Sequence, residues 1–121
     1  MSMDIFINYN DNGWWSSKTG IFECIVEETR SPFKDSEHEC LKTIYLPYDE
    51  WYQGYIDLRH VDEKCFNLFY SYCMQAMSDF SNSERSKILD KEFLPVILFQ
   101  WSAVLMIMRD DSRYRGQQES K

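Results

Sequence analysis

The apolar residues of this chain change their period at Asp62, and that change limits the folds open to it. From Cys65 to Phe80, apolar side chains follow one another at intervals of three and four residues, which is the spacing of one face of an α-helix. Asp62 is a good N-terminal cap, because its side chain can accept a backbone N–H of the first turn. We therefore expect a helix over residues 62–80.

A second helix is expected over residues 93–109, because nearly every residue from Phe93 to Met108 is apolar. Pro95 falls in the first turn, where a missing N–H has no partner to lose. A helix that is apolar on all sides is central or covered on several sides. The stretch is shorter than the roughly 20 residues of a membrane-spanning helix, so no membrane partner is expected. Between the two helices, Ser83 is expected to cap a short helix that runs through Leu89.

The N-terminal half has the composition of strands. Residues 4–9 alternate apolar and polar positions and are followed by an Asn-Asp-Asn-Gly turn at 10–13. Residues 40–46 are rich in strand-forming side chains, and residues 21–28 fit a strand, which we favour, or one face of a helix. Strands followed by helices indicate an α+β fold, with a small antiparallel sheet from the N-terminal half packed on two main C-terminal helices.

A chain of 121 residues is expected to form one domain. We place that domain at residues 1–109, and we expect the polar, charged residues 110–121 to form a disordered tail. No secretory leader is apparent in the first residues, which predicts a cytoplasmic location, where thiols stay reduced. The cysteines are accordingly interpreted as small buried hydrophobic residues, at positions Cys24, Cys40, Cys65 and Cys73.

Motifs of enzymes and cofactor sites are missing from the sequence. Its four glycines are isolated, so neither a phosphate-binding loop nor a dinucleotide fingerprint is present. A zinc site would lack the tight cysteine pair that is usual for such sites; its candidate ligands are His38, Glu39, Cys40, Cys24, His60 and Cys65. We predict no metal, no cofactor and no catalytic residue. A small enzyme that uses Cys and His residues brought together by folding remains an alternative.

The negative charge of the chain is concentrated in its first half. The chain has 13 Lys and Arg against 20 Asp and Glu, a net charge of −7, and residues 1–62 contain 12 of these acids but only 5 bases. Binding to a phosphate backbone requires Lys and Arg, so nucleic acid is not expected as a partner. A basic protein is the partner that this charge favours.

The densest mixture of acids and rings lies between Tyr45 and Asp57, where five aromatic residues accompany three acids. No single helical or strand phase would bury all five rings. Exposed Trp and Tyr are common anchors of protein interfaces, and acids beside them speed the encounter with a basic partner. In the alternative interpretation, Trp51 and Tyr55 pack in the core and the acids face water. The same choice applies to Trp14 and Trp15, of which one is expected to fill the core. The predicted partner-binding residues are Trp14, Trp15, Tyr48, Asp49, Glu50, Trp51, Tyr52, Tyr55 and Asp57.

In its size, acidity, lack of a catalytic motif and mixture of acids with aromatic residues, the chain resembles bacterial toxin-immunity proteins, such as those of contact-dependent growth inhibition systems. The resemblance is one of class and assigns no individual residue. It implies a single domain that binds a cognate basic toxin domain, with a nuclease as one candidate, and blocks its active site. A second hypothesis is a non-catalytic adaptor or self-associating regulatory subunit, because the apolar helix 93–109 could be covered by a second copy. Monomer and homodimer both stay open.

Overall fold

The computed structural model describes residues 2–115. These residues form a three-stranded sheet with helices packed against it, and short 3-10 turns lie at Asp35–Glu37 and Phe80–Asn82. The predicted α+β class is confirmed. In chain order the elements are β1 (Ser2–Phe6), β2 (Trp14–Lys18), α1 (Thr19–Arg30), α2 (His38–Asp49), β3 (Tyr55–Asp57), α3 (Glu63–Asp79), α4 (Glu84–Lys87) and α5 (Phe93–Arg109).

The sheet has the order β2-β1-β3 and is mixed rather than wholly antiparallel. β1 and β2 form an antiparallel hairpin in which Ile5 lies opposite Trp15. β1 and β3 run parallel, with Ile5 opposite Ile56. A parallel neighbour needs a long crossover connection, and β2, α1 and α2 supply it here. The expectation of a purely antiparallel sheet fails because residues 21–28 and 40–46 belong to that crossover.

Both residue ranges predicted as further strands are helical. Residues 21–28 lie in α1, which buries Phe22, Ile25 and Val26, so the helical alternative is the right one. Residues 40–46 lie in α2, where Ile44 and Tyr45 are fully buried. Strand-forming side chains are accepted in both helices because burial against the core outweighs the small differences in intrinsic propensity.

The predicted C-terminal helices are present. Asp62 caps α3 by accepting the backbone N–H of Cys65 at 2.8 Å, and Ser83 caps α4 by accepting that of Ser86 at 3.1 Å. α5 buries Trp101, whose indole N–H donates to the backbone oxygen of Cys73 at 3.1 Å. Within residues 2–115, no helix is long and apolar enough to cross a membrane.

A disulfide joins Cys40 in α2 to Cys65 at the start of α3. The interpretation of all four cysteines as thiols is therefore wrong for this pair. Sequence could not show the pairing, because it depends on the approach of two Cα atoms to 5.6 Å across 25 positions. Cys24 and Cys73 are free and buried, as expected. Burial raises the pKa of the Cys73 thiol to about 11 and also raises that of Cys24.

Residues 110–115 pack against the domain, so the predicted disordered tail is wrong for this part of the chain. Asp111 is buried and pairs with Arg113 at 2.8 Å. The same guanidinium group donates to three backbone oxygens at 2.8 Å, those of Ile7, Leu58 and Val61. Charged residues normally face water, but a pair whose hydrogen bonds are satisfied can be buried. Residues 116–121 of the predicted tail lie outside the described residues.

Candidate partner-binding surface

The structure divides the nine predicted partner-binding residues by exposure. Trp14, Asp49, Glu50, Trp51 and Tyr52 are exposed, Tyr48 and Tyr55 are partly buried, and Trp15 and Asp57 are buried. The binding role of these residues stays a prediction. The exposure and the intramolecular contacts of each side chain decide which of them are available to a partner.

The two adjacent tryptophans lie on opposite faces of β2, because successive side chains of a strand alternate. Trp15 is 6% exposed, and its indole N–H donates to Oε1 of Gln100 at 3.2 Å. Trp14 is 51% exposed. One tryptophan therefore fills the core and the other is presented to solvent, which is the division that the sequence favoured.

Asp57 is buried at the end of β3 and is neutralised within the fold. Nε and Nη2 of Arg59 donate to its two carboxylate oxygens at 2.9 Å each, and Nε2 of His60 lies 3.4 Å away. Burial by itself would raise the pKa of Asp57, but the hydrogen bonds from Arg59 outweigh it and lower that pKa. The charge of Asp57 is thus balanced by its neighbours, whereas the sequence interpretation placed it on a free acidic surface.

Tyr48 and Tyr55 link the surface to the core. The ring of Tyr48 meets that of Phe22 edge-to-face, with centroids 5.4 Å apart. Tyr55 meets Phe6 in the same way at 5.2 Å. Burial and the nearby Glu27 raise the pKa of Tyr48 to about 12, so its hydroxyl stays protonated at neutral pH. The rings of Tyr48 and Tyr55 therefore pack inward against Phe22 and Phe6 and are only partly available to a partner.

Asp49 lies at the last turn of α2 and pairs with Arg30 of α1. Nη1 and Nη2 of Arg30 donate to the two carboxylate oxygens at 3.0 and 2.9 Å. The guanidinium group lies over the ring of Tyr45, 4.4 Å from its centroid. Asp49 is therefore exposed but partly neutralised, and Arg30 ties the end of α2 to α1.

Residues 49–52 form what we term the α2-end surface: Asp49, Glu50, Trp51 and Tyr52. Trp51 is 55% exposed and Tyr52 is 89% exposed. The carboxylate of Glu50 has no ion pair or hydrogen bond to any residue between 2 and 115. The backbone is held in place, since the N–H of Glu50 donates to Leu46 and that of Gln53 donates to Pro47, both at 2.9 Å. Two rings and two acids are thus presented on a fixed backbone.

A shallow groove of about 630 Å³ adjoins the α2-end surface. The parallel register of β1 and β3 places Asp4 beside Tyr55 at this groove. Sequence analysis assigned Asp4 only to the first strand and missed this position, because no local pattern reveals the register of strands about 50 residues apart. The groove is lined by Ser2, Met3, Asp4, Tyr48, Tyr52, Gln53, Gly54 and Tyr55.

A second exposed patch, of different character, lies along α5. We term it the α5 outer face, and it consists of Phe93, Val96, Phe99 and Met106, with Phe99 71% exposed. The opposite side of α5 is buried against the core. The sequence predicted a helix that is central or covered on several sides, but no residue within 2–115 covers the α5 outer face.

The described residues were also compared with what a metal site or a catalytic pair requires. Within residues 2–115, no cluster of three or more His, Cys, Asp or Glu residues could hold a metal ion. The hydroxyl of Tyr9 lies 3.0 Å from Nδ1 of His60, whose other ring nitrogen faces Asp57. These contacts join the loop after β1 to the loop after β3.

No protein-family model matches the chain, and no curated protein matches it in sequence. Its fold does match a solved structure, the complex of the CdiA-CT toxin from Burkholderia pseudomallei E479 with its cognate CdiI immunity protein. The match is to the immunity protein, with a TM-score of 0.75 and 21% sequence identity, and it covers 92% of this chain and 97% of that one. At this identity the likeness concerns the fold, so the chain has the fold of a CdiI immunity protein.

Proposed function

We propose that this chain is an immunity protein of a contact-dependent growth inhibition system, which binds a cognate toxin domain and neutralises it without catalysing a reaction. The observation that carries the proposal is the shared fold, which spans 92% of this chain and 97% of an immunity protein that was solved bound to its toxin. The class-level resemblance seen in the sequence points in the same direction independently of that fold.

The toxin-binding site that we propose is the α2-end surface. Its two exposed rings supply rigid apolar area, and Glu50 supplies a carboxylate that no described residue neutralises. A partner with a basic surface fits both this site and the net charge of −7. A nuclease is a candidate, because a cleft that holds nucleic acid must be positive.

The function is tested by growth rescue. A toxin domain is first sought in the genes adjacent to the one for this chain; it is then expressed in a bacterial host with and without the chain, and growth is followed. We expect the chain to restore growth and the CdiI protein of B. pseudomallei E479, which has the same fold, to fail as a non-cognate control. Continued growth arrest in the presence of well-expressed chain would contradict an immunity role.

The site is tested with variants in the same assay. The double variant Trp51→Ala/Tyr52→Ala removes both exposed rings of the α2-end surface and is expected to lose protection. Phe99→Ala, which removes an exposed ring from the α5 outer face, serves as the control and should protect. Full protection by the double variant would move the site elsewhere and leave the immunity role standing.

A cysteine-dependent enzyme is poorly supported by the environment of the thiols. Cys40 and Cys65 are joined in a disulfide, and Cys24 and Cys73 are buried with raised pKa values. A nucleophilic cysteine needs an accessible thiolate, which a lowered pKa provides. We therefore expect slow alkylation of the native protein by iodoacetamide. Rapid labelling of one cysteine at neutral pH would restore the enzyme hypothesis.

Self-association is the second candidate function, and the α5 outer face is the observation that favours it. Contiguous exposed apolar patches often mark protein contacts. Sedimentation velocity at increasing protein concentration distinguishes the two cases. A monomer at tens of micromolar would remove the homodimer, whereas a dimer that Phe99→Asp dissociates would place its interface on α5.

A further inference from the structure

Tyr52 has a backbone conformation that is unusual for its residue type. Its φ is 54°, and within residues 2–115 it is the only non-glycine residue with a positive φ. Glycine is the usual residue in this region, and a bulky side chain there is rare. Gly54, two positions later, lies outside the region, and a Cβ there would make an ordinary contact with Cγ of Met3 at 3.5 Å. The chain thus has tyrosine where glycine would be easier and glycine where a side chain would fit.

Nothing that the Tyr52 side chain does inside the fold compensates for this strain. The ring is 89% exposed and makes no ring pair or hydrogen bond with any residue from 2 to 115. The conformation is imposed from both sides, because the N–H of Gln53 donates to Pro47 at 2.9 Å and Asp4 donates to the oxygen of Gly54 at 2.8 Å. Strained residues that the surrounding structure holds in place concentrate at functional sites.

The groove beside Tyr52 combines aromatic rings with a carboxylate. Three of its lining residues are tyrosines, and Asp4 lies opposite Tyr55 in the sheet, so both side chains are on the same face. The Asp4 carboxylate forms no ion pair with a residue in the described part of the chain. The lining contains neither lysine nor arginine. Its chemistry suits a cation that can also lie flat against a ring.

The fold itself contains that combination three times. In each case the guanidinium carbon of an arginine lies over an aromatic ring, at 4.4, 4.5 or 4.3 Å from the centroid, while the same group pairs with an aspartate at 2.9, 2.9 or 2.8 Å. The planar guanidinium group can stack flat on a ring while its N–H groups donate to a carboxylate, whereas an ammonium group has no flat face to stack. The three sets are Arg30 with Tyr45 and Asp49, Arg59 with Phe6 and Asp57, and Arg113 with Phe66 and Asp111.

We propose that the groove formed by Tyr48, Tyr52, Tyr55 and Asp4 receives an arginine side chain of the toxin. The ring of Tyr52 stacks on the guanidinium group and Asp4 pairs with it. The inference rests on the proposed function only in assigning this arginine to a toxin. The left-handed backbone of Tyr52, which hydrogen bonds on both sides hold in place, fixes the direction in which its side chain leaves the chain, so less backbone entropy is lost when the partner docks.

The test is a titration of the isotope-labelled full chain with N-acetyl-arginine amide, followed through its backbone amide NMR signals. N-acetyl-citrulline amide, which has nearly the same shape but no charge, is the control ligand. We expect saturable shifts at Asp4, Gly54 and Tyr55 with arginine and none with citrulline. Tyr52→Ala and Asp4→Asn should each weaken binding by roughly 2–5-fold, and Ile88→Ala, at an exposed residue outside the groove and both surfaces, should leave it unchanged.

Equal shifts with citrulline, or unaltered arginine binding by both groove variants, would overturn the proposal. Equal binding of N-acetyl-lysine amide would overturn its assignment to arginine. Tyr52→Gly separates strain from stacking, because it should weaken arginine binding as Tyr52→Ala does yet raise Tm by about 2–4 °C above that variant. No rise in Tm would contradict the strain. The titration uses no toxin, so its failure and a failure of growth rescue are distinct results.

Discussion

The α2-end surface and the buried network around Asp57 and Asp111 use the same residue types in opposite ways. The side chains of Glu50 and Trp51 are exposed and unpaired within the described residues, and they lie next to Tyr52, whose backbone is strained. Asp57 and Asp111 are buried and bonded on both carboxylate oxygens. The difference shows that acids and rings in a sequence do not by themselves indicate a surface. What separates Glu50 from the two buried aspartates is whether an arginine is positioned to neutralise the acid; Asp49 is exposed like Glu50 but is paired with Arg30.

Both buried aspartates are followed by an arginine two positions later. In each case the backbone N–H of the arginine donates to Oδ1 of the aspartate, at 2.9 Å for Arg59 and 2.8 Å for Arg113. The guanidinium group then returns to the same carboxylate. An aspartate that accepts from the backbone two residues ahead forms a local turn. This Asp-x-Arg spacing is visible in the sequence and distinguishes the structural acids Asp57 and Asp111 from Glu50.

The largest predicted effect is a loss of stability when the buried network around Asp111 is broken. Asp111→Asn should lower the free energy of unfolding by about 3–5 kcal/mol, because it leaves the buried guanidinium group of Arg113 without its counter-charge. Urea denaturation followed by tryptophan fluorescence measures the change. The neighbouring variant Asp110→Asn, at an exposed acid, should stay within about 0.5 kcal/mol. Similar losses for the two variants would show that burial of Asp111 does not matter.

Removing the disulfide between Cys40 and Cys65 tests whether the α2-end surface depends on a covalent link near the start of α2. Closing a loop across 25 positions stabilises a fold by about 3 kcal/mol. Cys40→Ser/Cys65→Ser should lose that amount, and a reducing agent should destabilise the wild type but not the variant. Toxin binding by the folded variant should persist, because Pro47 and Asp4 hold the α2-end surface. Lost binding under conditions where the variant stays folded would refute that independence.

The buried network should contribute to the pH dependence of the free energy of unfolding. Burial would raise the pKa of Asp111, but hydrogen bonds from Arg113 and Asn8 lower it from the ordinary 3.8 to about 2. As pH falls, the unfolded chain therefore takes up the proton first. The contribution is complete above about pH 5 and is lost towards pH 2, which amounts to about 2 kcal/mol. Urea midpoints at several pH values measure it. Asp111→Asn should show a correspondingly smaller acid dependence, and an unchanged one would exclude this group.

The smallest effect is expected for a substitution in the α2-end surface. Glu50→Gln should leave the free energy of unfolding unchanged but lower the association rate with the toxin domain several-fold at low salt, because an exposed charge acts mainly on the encounter. Stopped-flow measurements at low and high salt test this. Asp110→Asn, an exposed acid away from the α2-end surface, is the control. Equal rates for Glu50→Gln and the wild type would remove Glu50 from the encounter surface.

The sequence predicted which segment contains the candidate site, but not which residues of that segment are exposed or which distant residues lie beside them. The density of rings in residues 45–57 predicts that some of them are exposed, and Trp51 and Tyr52 are exposed. The same reasoning could not separate Glu50 from Asp57, because exposure depends on which element each residue joins. Asp4 was missed altogether, since it reaches the groove through the parallel register of β1 with β3.

The sequence by itself determined the elements whose causes are local. The spacing of apolar residues and the caps at Asp62 and Ser83 account for α3 and α4, and the unbroken apolar run accounts for α5. Only the tertiary structure decided that residues 21–28 and 40–46 are helical, that Cys40 meets Cys65, and that Arg113 anchors the chain beyond α5. Burial and pairing across the chain outweigh local preference there, because a contact between distant residues stabilises more than one residue's propensity costs.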